Sequence, residues 1–254
     1  MKNRLGFIFI IIAFLMSACV TEPQREGKDL NNASDFNAQM GLQYMKQGRY
    51  DIALGKLKKA IEQNPDNAVA QHYIAVLYQQ LGEFDKAEQH FQKALDLTPK
   101  NSDLLNNYGV FLCNDKKYQE AYRYFDKVLN DPLYKAKGAV YENVGLCAQG
   151  QGDISKAEEN LKFALRLNPE SPKSMLAMAQ ISFDKQQYSA ARKYYYGYLE
   201  NARQTPESLW LGILLENRSG NKNRMASYKV LLKGKYPDSK EAALLKKMEA
   251  SGKI

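Results

Sequence analysis

The chain has 254 residues, 44% of them hydrophobic and 25% charged, with a formal net charge of +8. This is a globular composition, and its lysines are interspersed with Glu and Asp where a nucleic-acid binder would present a dense basic face, so no nucleic-acid partner is expected. The two histidines, His72 and His90, have no Cys, Asp or Glu at metal-ligand spacing, which excludes a recognisable zinc site.

Residues 1–18 read as a targeting segment. Lys2 and Arg4 give a basic start, Leu5 to Met16 an apolar stretch, and Met16-Ser17-Ala18 a small-residue approach to Cys19. The stretch is shorter than the about 20 apolar residues that span a bilayer, so it is expected to be removed. The sequence around Cys19 resembles a bacterial lipobox, with Met16 where that pattern prefers Leu; an ordinary secretory signal with a chance cysteine is the alternative. The resemblance implies lipidation of Cys19 and a mature protein that is tethered and does not span. Val20 stands where retention in the inner membrane uses Asp, which implies sorting to the outer membrane, facing the periplasm. Residues 19–33 then comprise the lipidated cysteine and a polar leash, Thr21 to Asn32.

From Ser34 onward one unit recurs. Gly41, Tyr44, Gly48, Tyr50, Ala53, Leu57, Ala60 and Pro65 each stand 34 positions before Ala75, Tyr78, Gly82, Phe84, Ala87, Phe91, Ala94 and Pro99. Their spacing predicts two amphipathic helices per unit with a turn at the second glycine. The period and the Gly, Tyr, Ala, Phe, Pro order resemble the tetratricopeptide repeat. That resemblance implies an all-α fold, a right-handed superhelical solenoid of about six helix-turn-helix repeats with a C-terminal capping helix.

The repeats are expected at 34–67, 68–101, 102–137, 138–171, 172–205 and 206–239. In the third, Lys116 occupies the turn where glycine is usual, and a two-residue insertion falls in Asn130 to Tyr134, because Gly145 follows Gly109 by 36 positions. Such an insertion costs little closure entropy, and these loops carry the partner-specific features of solenoids. The fourth copy is regular and explains Gly150 and Gly152 as turn residues, with no preceding strand for a phosphate loop. Gly41, Gly109 and Gly145 lie within predicted helices, where close approach of the paired helix compensates a cost of about 1 kcal/mol. The sixth copy is degenerate: Leu209 to Asn217, a turn at Ser219-Gly220-Asn221, then Met225 to Lys235. In 240–254, Lys240 to Ala250 reads as an amphipathic helix whose charged face caps the stack.

Two features go beyond the repeat. In Tyr194-Tyr195-Tyr196-Gly197-Tyr198 the phase turns Tyr195 and Tyr198 inward, leaving Tyr194 and Tyr196 either packed on the next repeat or forming a partner patch. Cys113 and Cys147 lie on the first helices of adjacent repeats, although the insertion makes their alignment inexact. In an oxidising compartment they are a candidate disulfide that would contribute about 3 to 4 kcal/mol, against two buried free thiols. No nucleophile and base stand at interpretable spacing, so neither an enzyme nor a cofactor is expected.

The resemblance to tetratricopeptide proteins implies a groove lined by first helices that holds a partner's peptide or helix. Its positions fall on Leu42, Met45 and Lys46, then His72, Val76, Gln79 and Gln80, then Asn106, Val110 and Asn114, then Glu142, Leu146 and Gln149. Ala38 and Leu42 replace the Lys and Asn with which chaperone-binding members grip a C-terminal carboxylate, which disfavours that ligand. A more specific resemblance rests on the strings Leu105 to Cys113, Asp131-Pro132-Leu133-Tyr134 and Glu142 to Ala148, which are similar to those of the type IV pilus biogenesis and stability lipoproteins, the PilF/PilW family. Membership implies a monomeric pilotin, carried by the lipoprotein sorting machinery to the outer membrane, that binds the pilus secretin and promotes its localisation and multimerisation. A periplasmic repeat lipoprotein serving as scaffold for peptidoglycan hydrolases or other envelope machinery is the alternative.

Overall fold

A computed structural model describes residues 23–252 and 254. The described residues form an all-α repeat solenoid with no strand. In chain order its helices are α1 (Pro23–Lys46), α2 (Tyr50–Gln63), α3 (Ala68–Gln80), α4 (Phe84–Leu97), α5 (Ser102–Asn114), α6 (Tyr118–Leu129) and α7 (Lys137–Gln151). There follow α8 (Ile154–Leu167), α9 (Pro172–Asp184), α10 (Tyr188–Asn201), α11 (Pro206–Ser219), α12 (Lys222–Lys235) and α13 (Lys240–Ala250). No described helix is long and apolar enough to cross a membrane. The chain divides into two compact units, one ending at Ile74 and the other running from Ala75 to Ile254.

In the first unit α1 packs on α2, burying Ala53, Leu57 and Ala60 at the helical spacing of an apolar stripe. Gly41 permits this contact, since a Cβ there would stand 2.5 Å from Leu57 Cγ. The buried polar groups of Ser34 and Asn67 are satisfied within the unit. Ser34 Oγ donates to the Ala60 carbonyl (2.7 Å), Asn67 Nδ2 donates to Ser34 Oγ (2.8 Å), and Asn67 Oδ1 accepts from the Ala70 amide at the start of α3 (2.9 Å).

In the second unit α5 pairs with α6, α7 with α8, α9 with α10 and α11 with α12, while α13 packs on α11 and α12. Gly109 and Gly145 let the paired helices approach: an added Cβ would lie 2.7 Å from Phe125 and from Leu161 respectively. Helix starts are marked by side-chain caps. Asn101, Asp153, Ser171, Asn221 and Ser239 each accept an amide of the first turn, and Thr205 with Ser208 forms a capping box. The sixth pair departs from the simple stripe because α11 is covered on several sides. Leu209, Leu211, Ile213 and Leu215 are all buried, with α10, α12 and α13 as neighbours.

The N-terminal expectations fare differently. Cys19 and the targeting segment lie outside the described residues. The leash expected up to Asn32 is corrected from Pro23 onward, where the chain is already helical. Gln24, Arg25, Glu26, Lys28 and Leu30 are straight-chain residues of good helix propensity, and they extend a helix already nucleated by packing further along α1.

Candidate partner-binding face

Within the second unit α5 neighbours α7, α7 neighbours α9, and α9 neighbours α11, so positions repeating on the first helices share one face. A depression on that face is lined by Leu146 and Gln149 of α7, Lys173, Leu176, Ala177 and Gln180 of α9, and Glu207 of α11. Leu146 and Leu176 are half-buried against the core clusters beneath them. Around them Gln149, Lys173, Gln180 and Glu207 form a polar rim of both charge signs. Gln180 is held in place by donating to Asp184 Oδ1 at 2.9 Å. An apolar floor with a mixed polar rim suits the apolar face of a partner helix or extended peptide.

Two devices brace this face. Cys113 on α5 and Cys147 on α7 are bridged, their Cα atoms 5.7 Å apart. The insertion between these repeats is folded back onto the start of α5. Asp131 Oδ2 accepts from the Ser102 hydroxyl (2.7 Å), Asp131 Oδ1 from the Leu133 amide (2.9 Å), and the Tyr134 hydroxyl donates to Asp103 Oδ1 (2.8 Å). The bond from Ser102, then that from Leu133, holds the Asp131 carboxyl below its ordinary range. Burial and the Asp103 hydrogen bond push the Tyr134 phenol up to about 12. The tip residue Leu133 stays 84% exposed.

Comparison with known proteins identifies the scaffold. Tetratricopeptide-repeat models match residues 44–104 and 148–210, and a second such model residues 90–123. The type IV pilus assembly protein PilF of Pseudomonas aeruginosa is 34% identical over 245 residues, covering 95% of this chain and 97% of that protein. The chain belongs to the PilF/PilW family of tetratricopeptide-repeat proteins. Solved structures of this family agree with its fold. Pseudomonas aeruginosa PilF matches with a TM-score of 0.72 at 34% identity over 86% of this chain and 98% of its own. PilW, described as a widely conserved type IV pilus biogenesis factor, matches with a TM-score of 0.73 at 30% identity, covering 85% and 99%.

On this PilF/PilW scaffold the groove positions taken from the repeat pattern separate into three groups. Leu42, Met45, Lys46 and His72 belong to the first unit, where His72 is buried with its ring stacked 4.6 Å from that of Tyr73. In the second unit Val76, Gln79 and Val110 are half-buried, Gln80 and Asn114 are exposed, and Leu146 and Gln149 meet in the depression. Asn106 and Glu142 work inside the stack. Asn106 Oδ1 accepts from Asn143 Nδ2 (3.0 Å), and the Glu142 carboxylate accepts from the hydroxyls of Ser171 and, at 2.8 Å, Ser174, tying α7 to the start of α9.

The fifth- and sixth-repeat residues Lys173, Leu176, Gln180 and Glu207 were not among the sequence-derived positions. The signal for two of them was present: 34 positions beyond Glu142 and Leu146 stand Leu176 and Gln180. Both unassigned tyrosines pack against the core clusters. Tyr196 packs inward, its hydroxyl donating to Glu216 Oε1 at 2.7 Å. Tyr194 is half-buried and lines a separate depression with Lys162, Phe163 and Leu165.

Proposed function

We propose that this chain is the pilotin of a type IV pilus, an outer-membrane lipoprotein that binds a secretin subunit and promotes assembly of the secretin ring. One observation carries the reading: the similarity to a protein named for type IV pilus assembly runs over 95% of this chain. The depression around Leu146 and Leu176 is the surface on which a segment of the secretin would seat its apolar side chains. Acylation of Cys19 by the lipoprotein pathway would tether the complex to the periplasmic face of the outer membrane. Tethering raises the effective concentration of subunits at one membrane, so assembly is favoured there with no bond made or broken.

The test replaces the gene with a Leu146→Glu, Leu176→Glu variant and follows secretin in separated membranes. Loss of heat-stable secretin multimers and of surface pili is expected, with the variant itself folded and at normal abundance. Cys19→Ala is expected to release the protein to the soluble periplasm and leave secretin in the wrong membrane. Intact secretin rings in a deletion strain, alongside altered wall growth, would instead favour a scaffold for peptidoglycan hydrolases.

A further inference from the structure

The charge of this protein is concentrated at one end. Residues 217–254 contain ten Lys or Arg against three acidic residues, Asp238, Glu241 and Glu249, so seven of the chain's eight surplus positive charges lie in α12, α13 and their flanks. The preceding 216 residues are close to neutral.

We infer that the α12–α13 cap is an electrostatic contact surface for an anionic phospholipid bilayer. A solenoid end must be polar to stay soluble, but solubility asks for charge of either sign, whereas this end carries a more than threefold excess of basic over acidic residues. The structure strengthens the bias. Glu249 is engaged by Lys233 at 2.7 Å and Lys229 at 3.5 Å. Lys222, Lys235, Lys240, Lys246 and Lys247 are exposed and make no salt bridge among the described residues. On α13, Ala242 and Leu245 turn to the core, which leaves Lys240, Leu244 and Lys247 on the outer side at spacings of four and three residues. Val230 of α12 is 70% exposed and Leu244 37%, apolar groups set among lysines. Basic helices with interspersed exposed apolar residues lie on membrane surfaces, with each lysine drawn to anionic headgroups over about a Debye length. The inference stands whether or not Cys19 is acylated and whether or not a secretin is the partner.

The experiment uses the chain from residue 19 with Cys19→Ser, so that neither signal segment nor acyl chain contributes. Flotation is measured with phosphatidylcholine vesicles and with vesicles containing phosphatidylglycerol. Binding to the anionic vesicles alone is expected, and it should disappear near 1 M salt, where the Debye length falls to about 3 Å. Lys240→Gln, Lys246→Gln, Lys247→Gln together should weaken it on the order of a hundredfold, with an unchanged melting curve. Lys58→Gln, Lys59→Gln, Lys100→Gln removes the same charge elsewhere and should leave it intact. Equal flotation with neutral vesicles, no flotation with either, or equal loss in the two triple variants would overturn the inference. So would salt-sensitive binding to a polyglutamate peptide without binding to anionic vesicles, which would assign the cap to an acidic polypeptide.

Discussion

Cys113 and Cys147 occupy inequivalent positions in adjacent repeats, the first four residues beyond Gly109 and the second two beyond Gly145. A two-residue offset is about 200° of helix rotation, so one side chain leaves α5 toward α7 while the other leaves α7 toward α5. Their Cα separation of 5.7 Å lies in the range a disulfide needs. With no insertion between the repeats, cysteines 34 apart would sit at equivalent positions and point the same way. The phase shift that looked like an obstacle in the sequence is therefore what brings the pair together. Replacing both by Ala is expected to cost about 3 kcal/mol, read as a lower denaturation midpoint. In protein carrying Cys19→Ser, thiol labelling after unfolding without reductant should find no reactive thiol; two would count against the bridge.

Lys116 and Gln186 are the places where the turn between paired helices lacks its glycine. Both adopt left-handed backbone, with φ of 62° and 59°, at the position that Gly48, Gly82, Gly152 and Gly220 fill elsewhere. A Cβ in that region is disfavoured by about 1 to 2 kcal/mol, offset in part by the greater freedom of glycine in the unfolded chain. Lys116→Gly and Gln186→Gly should therefore each raise stability by roughly 0.5 to 1 kcal/mol, or about 2 °C or more in Tm. Gly82→Ala should lower it. An unchanged or lower melting temperature in both glycine variants would show that neither turn is strained.

Helix pairing and turn positions were legible because they depend on residues close in sequence. The apolar stripe of Ala87, Phe91 and Ala94, for example, specifies both a helix and the face it buries. What escaped was the use made of polar groups. Asn106 and Glu142 sit at groove positions by phase, yet their hydrogen bonds to Asn143 and to Ser171 and Ser174 spend them on holding α5, α7 and α9 together. Those partners lie 29 to 37 residues away, and periodicity says nothing about which distant hydroxyl or amide a side chain will reach. The sixth repeat keeps its two expected helices and turn, and its apolar spacing fits poorly because α11 meets α10, α12 and α13, so its apolar residues encircle the helix instead of marking one stripe.

Glu158 gives the second unit an acid-sensitive joint. Its carboxylate bridges Lys162 on its own helix (2.6 Å) and Lys185 at the α9–α10 turn (2.7 Å). Hydrogen bonds from Lys162 and then Lys185 hold it below its usual value near 4.5. A depressed folded pKa means that the unfolded chain takes up the proton first as pH falls. The contribution is therefore complete above about 4.5 and is lost as pH drops through the lower folded value. Denaturant midpoints should fall more steeply below pH 4.5 in the wild type than in Glu158→Gln, and the two proteins should converge in strong acid. Parallel pH profiles would remove Glu158 from the account.

Glu216 and Tyr196 explain together why a carboxylate can be buried in the sixth repeat and what one of the two tyrosines beyond the repeat phase does there. Glu216 is 1% exposed. One oxygen accepts from the Tyr196 hydroxyl at 2.7 Å, the other from Ser219 Oγ at 3.1 Å with Arg192 at 3.7 Å. Arg192 and Arg224 also stand over the Tyr196 ring, 5.8 and 5.3 Å from its centroid, which places positive charge beside the buried anion. Hydrogen bonds to a charged group contribute about 1.5 to 3 kcal/mol, so Tyr196→Phe should cost about 2 kcal/mol and Glu216→Ala at least as much, because it also removes the acceptor of the phenol, which keeps only the bonds it accepts from Arg192 and Arg224. Glu216→Gln keeps an acceptor and should be milder. Because the two side chains share one contact, their losses should not add: a double-mutant cycle is expected to give a coupling on the order of 1 kcal/mol. Additive effects would mean that Tyr196 stabilises the repeat by ring packing alone, and the burial of Glu216 would then have to rest on Ser219 and Arg192.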